Sequence, residues 1–164
     1  MIKDSGNRTE FETGAVRDIQ EGKGRCDLMP LGVVADILDD YTIDRIDKFK
    51  DTSDIEHLID ILHNFTTIHP KWDDVETIFL EVAKHFEEGA KKYGENNWQK
   101  GIPVHCFINS AVRHYLKWLR EDDDEPHDRS FVWNIMCAIW TCKHKPELDD
   151  FTVRKDGSDV VSHV

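Results

Sequence analysis

Between His85 and Asn134 the chain gathers nearly every side-chain type that could do polar chemistry. The stretch reads HFEEGAKKYGENNWQKGIP, then NSAVRHYLKWLR, then EDDDEPHD running into RSFVWN. Carboxylates, lysines, arginines, histidines and amides stand beside three tryptophans. This mixture points to a site for an anionic ligand with metal ions, because a plain helical core has no use for so many polar types at its edges. Cations pair with phosphate oxygens, amides hydrogen-bond a base or sugar, and an indole offers a stacking face.

Helices must position these groups. Asp73 or Asp74 can cap a helix over 74–93, whose apolar stripe is Val75, Ile78, Phe79, Val82, Ala83, Phe86, Ala90 and Tyr93. At helical spacing Glu87 falls at the edge of that stripe, Glu88 on the far side and His85 at the opposite edge. Glu87 either pairs with Lys91 four residues on or reaches an interior site. Gly94 stops the helix. In the following loop, Asn97 and Trp98 either pack a base or form a capped turn. A helix over 105–120 carries Phe107, Ile108, Ala111, Val112, Tyr115, Trp118 and Leu119, with His114 at its border and Arg113 further out. His114 reads as a structural histidine or a catalytic one. Pro126 suits a first helical position, so Asp124 or Glu125 caps a fourth helix. His127 and Asn134 share one stripe of it, and Glu125 and Asp128 make an ExxD spacing.

The rest of the chain is plainer. Residues 1–27 are glycine-rich and poor in apolar groups, which predicts a flexible arm, solvated or bringing Lys23 and Arg25 over phosphates. LMPLGVVADIL predicts a short helix opened by Pro30. Residues 39–72 are charged, with one amphipathic run in which Ile55, Leu58, Ile59, Leu62 and Phe65 recur at helical spacing. Pro70 ends it, and His57 and His63 read as surface residues. From Lys145 the chain turns polar, which predicts a loose tail over 145–164.

With 164 residues the chain fits one domain. A net charge of −12 argues against a general nucleic-acid or anionic-membrane surface. The four cysteines show no CxxC spacing and read as reduced thiols. No apolar run is long enough for a membrane span or signal peptide. A cytoplasmic all-α bundle is the expectation.

Several motifs, in order, resemble a known family. TGAVRDIQEGKGRCDLMP, FEEGAKKYGENNWQKGIP, AVRHYLKW and the His127-to-WN run resemble a phage-associated family of dATP/dGTP diphosphohydrolases, grouped with the MazG-like all-α nucleoside triphosphate pyrophosphohydrolases. The resemblance implies an oligomeric helical enzyme of the host cytoplasm. It would cut a purine deoxynucleoside triphosphate to the monophosphate and pyrophosphate with Mg²⁺ or Mn²⁺. Relative to shorter members, residues 36–78 are an inserted helical segment. The implied metal ligands are Glu87 and Glu88 on one helix, where Lys91 replaces the second acid of the ExxE pattern, and Asp124, Glu125 and Asp128 on the other. Glu87 and Glu125 are the expected catalytic carboxylates. Lys23, Arg25, Lys91, Lys92, Tyr93, Asn97, Trp98, Arg113, His114, His127 and Asn134 are the expected substrate contacts. The rivals are a non-catalytic nucleotide- or partner-binding module and an HD-type phosphohydrolase using His114, His127 and Asp128.

Overall fold

The computed structural model describes residues 4–69, 71 and 74–153 of the 164. Pro70, Asp73 and the tail beyond Val153 lie outside the described residues. Regular structure there consists of a hairpin, β1 (Arg8–Glu10) and β2 (Val16–Asp18), followed by six helices. These are α1 (Leu31–Leu38), α2 (Tyr41–Thr52), α3 (Glu56–Ile68), α4 (Val75–Tyr93), α5 (Val104–Leu119) and α6 (His127–His144). The fold is all-α.

The long apolar faces of α5 and α6 pack along each other and form the spine. Phe107, Ile108, Phe131 and Ile135 are fully buried between them and their neighbours. Phe65 of α3 closes this core, edge-on to Phe131 at 4.9 Å and to Trp118 at 5.0 Å. A helix α2 stands in the stretch read as merely charged. Its Thr42, Ile43, Ile46 and Phe49 are buried, a helical spacing that the surrounding Asp and Lys residues obscure. Asp40 caps it, accepting from Ile43 N at 2.9 Å, and also accepts from Tyr115 Oη at 2.6 Å.

Residues 1–27 are not a structureless arm where they are described. Arg8 pairs with Asp18 and Glu10 with Val16 in antiparallel register. Ala15 is fully buried. The Asn97 carboxamide closes the outer edge of β2, accepting from Val16 N at 2.8 Å and donating to Val16 O at 2.7 Å. Thr13 Oγ1 donates to Gly101 O. Gly101 has φ 126, and a Cβ there would lie 2.8 Å from Leu148 and 2.9 Å from Thr13, so the loop tolerates only glycine at this junction.

The segment after Lys145 is also packed as far as it is described. Phe151 is buried and stacks on Phe49 with ring centroids 5.9 Å apart, and Val153 N donates to Lys50 O at 2.9 Å. A polar composition hid one aromatic anchor. Phe151→Ala should therefore lower unfolding free energy by about 2–3 kcal/mol, measured by denaturant titration; an unchanged midpoint would show that the segment contributes nothing.

Two local expectations about α4 and α6 change. Asp74 caps α4, accepting from Thr77 N at 2.7 Å. Neither Asp124 nor Glu125 caps α6, because Pro126 occupies the N-cap position and no side chain bonds there. The inward face of α4 is Ile78, Val82 and His85, whereas Phe79 is 49% exposed. The hydrophobic stripe is wide enough to admit two phases, and packing against α6 selects the one centred on His85.

Candidate active site

A cavity of about 810 Å³ lies between the hairpin, α4, the loop after it, α5 and the start of α6. Polar residues reach it from α5 at helical spacing: Ser110, Arg113, His114 and Lys117. From α6 come Ser130, Trp133 and Asn134, from β2 Arg17, and from the loop beyond it Gln20 and Lys23.

Its most telling feature is a pair of guanidiniums. Arg17 Nη2 donates to Ser110 Oγ at 2.8 Å and to Asn134 Oδ1 at 2.7 Å, and the group lies 5.2 Å over the Phe107 ring. Arg113 Nη2 donates to the same Ser110 Oγ at 3.0 Å and to Gln20 Oε1 at 3.1 Å. On each arginine Nη1 is buried with no hydrogen-bond partner. Two like charges converging on one hydroxyl, each with an unused donor, are costly by themselves and favourable around an anion. Lys23 and Lys117 add charge at the rim.

His114, Asp124 and Glu125 stand at another part of the wall, and His127, expected to contact substrate, is buried against them and is not among the lining residues. His114 Nδ1 and His127 Nδ1 are 2.9 Å apart, and Glu125 Oε1 lies 3.7 Å from the first and 3.8 Å from the second. His127 Nε2 faces Asp124 Oδ1 at 2.6 Å. A carboxylate on Nε2 orients His127 so that Nδ1 presents a lone pair inward. Burial, with Arg113 nearby, holds His114 well below the usual imidazole range, so its ring is neutral at pH 7. His114, Glu125 and His127 offer donors all within 4.8 Å of one another. A set of two imidazole nitrogens and one carboxylate fits Mn²⁺ better than Mg²⁺, which is served best by oxygens.

The other expected ligands go elsewhere. Glu87 lines the cavity mouth but is exposed and paired with Lys91 Nζ at 2.9 Å. Glu88, expected on the far side, turns toward α6 and accepts from Arg129 Nη2 at 3.0 Å. Asp128 faces away from Glu125, with His69 Nε2 at 3.2 Å. Among the described residues none of these three belongs to a close group of metal-type donors. The expected phosphate contacts divide too. Lys92 is buried and bound to Asp18 at 2.8 Å, Lys91 is the exposed partner of Glu87, and Arg25 grips Asp27 through two hydrogen bonds of 2.8 and 2.7 Å. Arg113, Lys23, Tyr93, Asn97, Trp98, His114 and Asn134 do line the cavity, although the amides of Asn97 and Asn134 already hold Val16, Arg17 and the Ser130 carbonyl.

Residues not assigned to the site from the sequence complete it: Arg17, Gln20, His85, Ser110, Lys117 and Trp133. The i, i+3, i+4, i+7 spacing of Ser110, Arg113, His114 and Lys117 was a readable signal of a polar stripe on α5. His85, Phe86, Trp98 and Trp133 make an aromatic wall, with Phe86 5.7 Å from Trp98 and 5.8 Å from Trp133. Trp133 Nε1 and His85 Nδ1 are buried without partners.

Two predictions arise from these contacts. The Glu88–Arg129 pair is largely shielded, so Glu88→Gln should cost about 2 kcal/mol of stability by stranding a buried cation. The exposed Glu87–Lys91 pair is worth at most about 0.5 kcal/mol. Thermal melts of the two variants check this, and an equal loss would contradict the helix phase.

The second prediction concerns pH. Burial, reinforced by Arg129, lowers His85 from 6.5 to about 3. A folded-state value below the unfolded one means that the native state binds fewer protons, so this stability is present above about 6.5 and lost as pH falls toward 3. The melting temperature should therefore drop between pH 7 and 5, and His85→Gln should flatten that limb. A slope unchanged by the substitution would contradict the assignment.

In this all-α fold the main cavity is lined by arginine and lysine side chains and borders a histidine–carboxylate cluster, an arrangement with the charge to receive an anion. The family model described as "dATP/dGTP diphosphohydrolase, N-terminal" matches residues 70–151, half the chain, and the chain belongs to that family. It is similar to a dATP/dGTP diphosphohydrolase of Salmonella phage PMBT28, 28% identical over 75 residues. That match covers 43% of this chain and 26% of the phage protein, so the chain spans about a quarter of the relative's length. No solved structure matches. No helix among the described residues is long and apolar enough to cross a membrane.

Proposed function

We propose that this protein hydrolyses a purine deoxynucleoside triphosphate, dATP or dGTP, to the monophosphate and pyrophosphate, in the host cytoplasm if the gene is phage-borne. The single observation that carries the reading is the Arg17–Arg113 pair, two buried guanidiniums with unused donors on one cavity. Arg17, Arg113, Lys23 and Lys117 hold the phosphates. The Phe86, Trp98 and Trp133 rings stack on the base. Glu125 accepts the proton of the attacking water. Neutral His114 and Asp124-oriented His127, with Glu125, would hold a divalent cation, Mn²⁺ or Mg²⁺. Such an ion lowers the pKa of bound water and neutralises phosphate charge. Water attacks the α-phosphorus and pyrophosphate leaves.

An HD-type phosphohydrolase is less favoured, because Asp128 would have to join the histidines and instead faces His69. Self-association is part of the proposal. The outer face of α4 exposes Val75, Phe79 and Leu80, and α1 exposes Val33 and Ile37. Nucleic acid and membrane are not partners in this reading. Incubation with each deoxynucleoside triphosphate and either ion, followed by product identification, tests it. Monophosphate plus pyrophosphate from dATP or dGTP is expected. Triphosphate release would favour the HD-type chemistry, and no turnover would leave a nucleotide-binding module.

A further inference from the structure

A second cavity, of about 220 Å³, opens beneath the β1–β2 hairpin, and its wall includes Arg17, Arg25, His105 and Cys106. His105 and Cys106 stand side by side in the first turn of α5. Cys106 Sγ lies 3.4 Å from His105 Nε2, and His105 Nδ1 lies 2.5 Å from Asp150 Oδ2. Asp150 Oδ1 also accepts from His105 N at 3.0 Å, so the carboxylate fixes both ring and backbone. Sulfur, imidazole and carboxylate thus stand in the order nucleophile, proton donor, orienting acid. The nucleotide reading uses none of the three.

We propose that Cys106 is a peroxide-reactive thiol, activated by His105 and Asp150 on the wall of this cavity. The space suits a small oxidant. The thiolate form of Cys106 attacks one peroxide oxygen, an S–O bond forms and the O–O bond breaks, the hydroxyl staying on sulfur. The departing oxygen takes a proton from the His105 imidazolium and leaves as water. Sulfur is oxidised by two electrons to a sulfenic acid while the peroxide is reduced. Arg17, lining both cavities, keeps a buried Nη1 without a hydrogen-bond partner that can donate to the new oxygen.

The charge state supports the geometry. The Asp150 contact, then Cys106, raises His105 to about 10, so the ring is protonated at neutral pH. Burial pushes Cys142 up to about 12, Cys137 well above the usual thiol range, and Cys26 upward. Thiols held protonated react slowly, because the thiolate is the nucleophile.

The test is to expose the full chain to dilute hydrogen peroxide, trap sulfenic acid with a cyclic 1,3-dione and map the label by mass spectrometry. Cys106 should be labelled first, with Cys26, Cys137 and Cys142 slower by roughly tenfold or more. His105→Gln should slow Cys106 labelling by roughly tenfold, with Asp150→Asn in the same direction. Labelling of Cys26 as fast as Cys106 in the wild-type chain would overturn the proposal without any variant. So would a His105→Gln chain labelled at the wild-type rate.

Discussion

Glu125→Gln should lower kcat for dATP or dGTP by roughly 10²–10⁴, the range associated with one positioned proton acceptor. The side chain is mostly shielded, lines the main cavity and sits within 3.8 Å of two imidazole nitrogens. Because α6 is not capped by it, the substitution should leave the helical signal intact. It should also remove most of any rise in melting temperature produced by Mn²⁺, since an ion that binds only the folded state stabilises by mass action. Asp128→Asn is the sharp contrast. Asp128 is three residues away but faces His69, so that variant should lose stability and keep its response to Mn²⁺. Paired steady-state kinetics and thermal shifts on both variants make the measurement. Equal loss of activity in the two would mean that the ExxD spacing, and not the cavity, defines the ligand set.

Arg17→Gln should raise KM for nucleotide by roughly 10²-fold, the equivalent of about 3 kcal/mol. The guanidinium reaches from β2 to Ser110 on α5 and Asn134 on α6 while keeping a buried donor for ligand. Arg17→Lys keeps the charge but not the planar fork, so it should restore only part of the affinity. A structural role alone would predict lowered stability with KM unchanged, and kinetics at a temperature well below both melting points separates the two. Arg25→Gln should leave KM near the wild-type value, because Arg25 is occupied by Asp27 outside the main cavity.

Much of this architecture was legible before any coordinates. The apolar stripe of α5 is long and Pro126 marks the start of α6, so these helices stood out. The site region, His85 to Asn134, was also visible, because polar types accumulate there beyond what a core needs. The details were harder, each for a physical reason. On α4 the apolar residues cover more than one face, and only contact with α6 decides that His85 and Glu88 turn inward. In α2 the buried residues are few among charges. The hairpin is three residues per strand, too short for an alternating pattern. Its role comes from pairing with Asn97, far along the chain. Arg17 was unreadable as a ligand group because its partners lie on α5 and α6. The split of Glu125 from Asp128 follows from the non-helical backbone before α6, which no spacing rule describes.

In the proposed reaction the histidine–carboxylate cluster, and not the acids of α4, would hold the divalent ion used on the nucleotide. Electron paramagnetic resonance of Mn²⁺ bound to the ¹⁵N-labelled chain addresses it most directly. Nitrogen hyperfine coupling from imidazole is expected in the wild type, lost in His127→Gln and retained in Glu87→Gln. Bound Mn²⁺ that turns over nucleotide with no nitrogen coupling, or whose coupling survives in His127→Gln, would contradict the account.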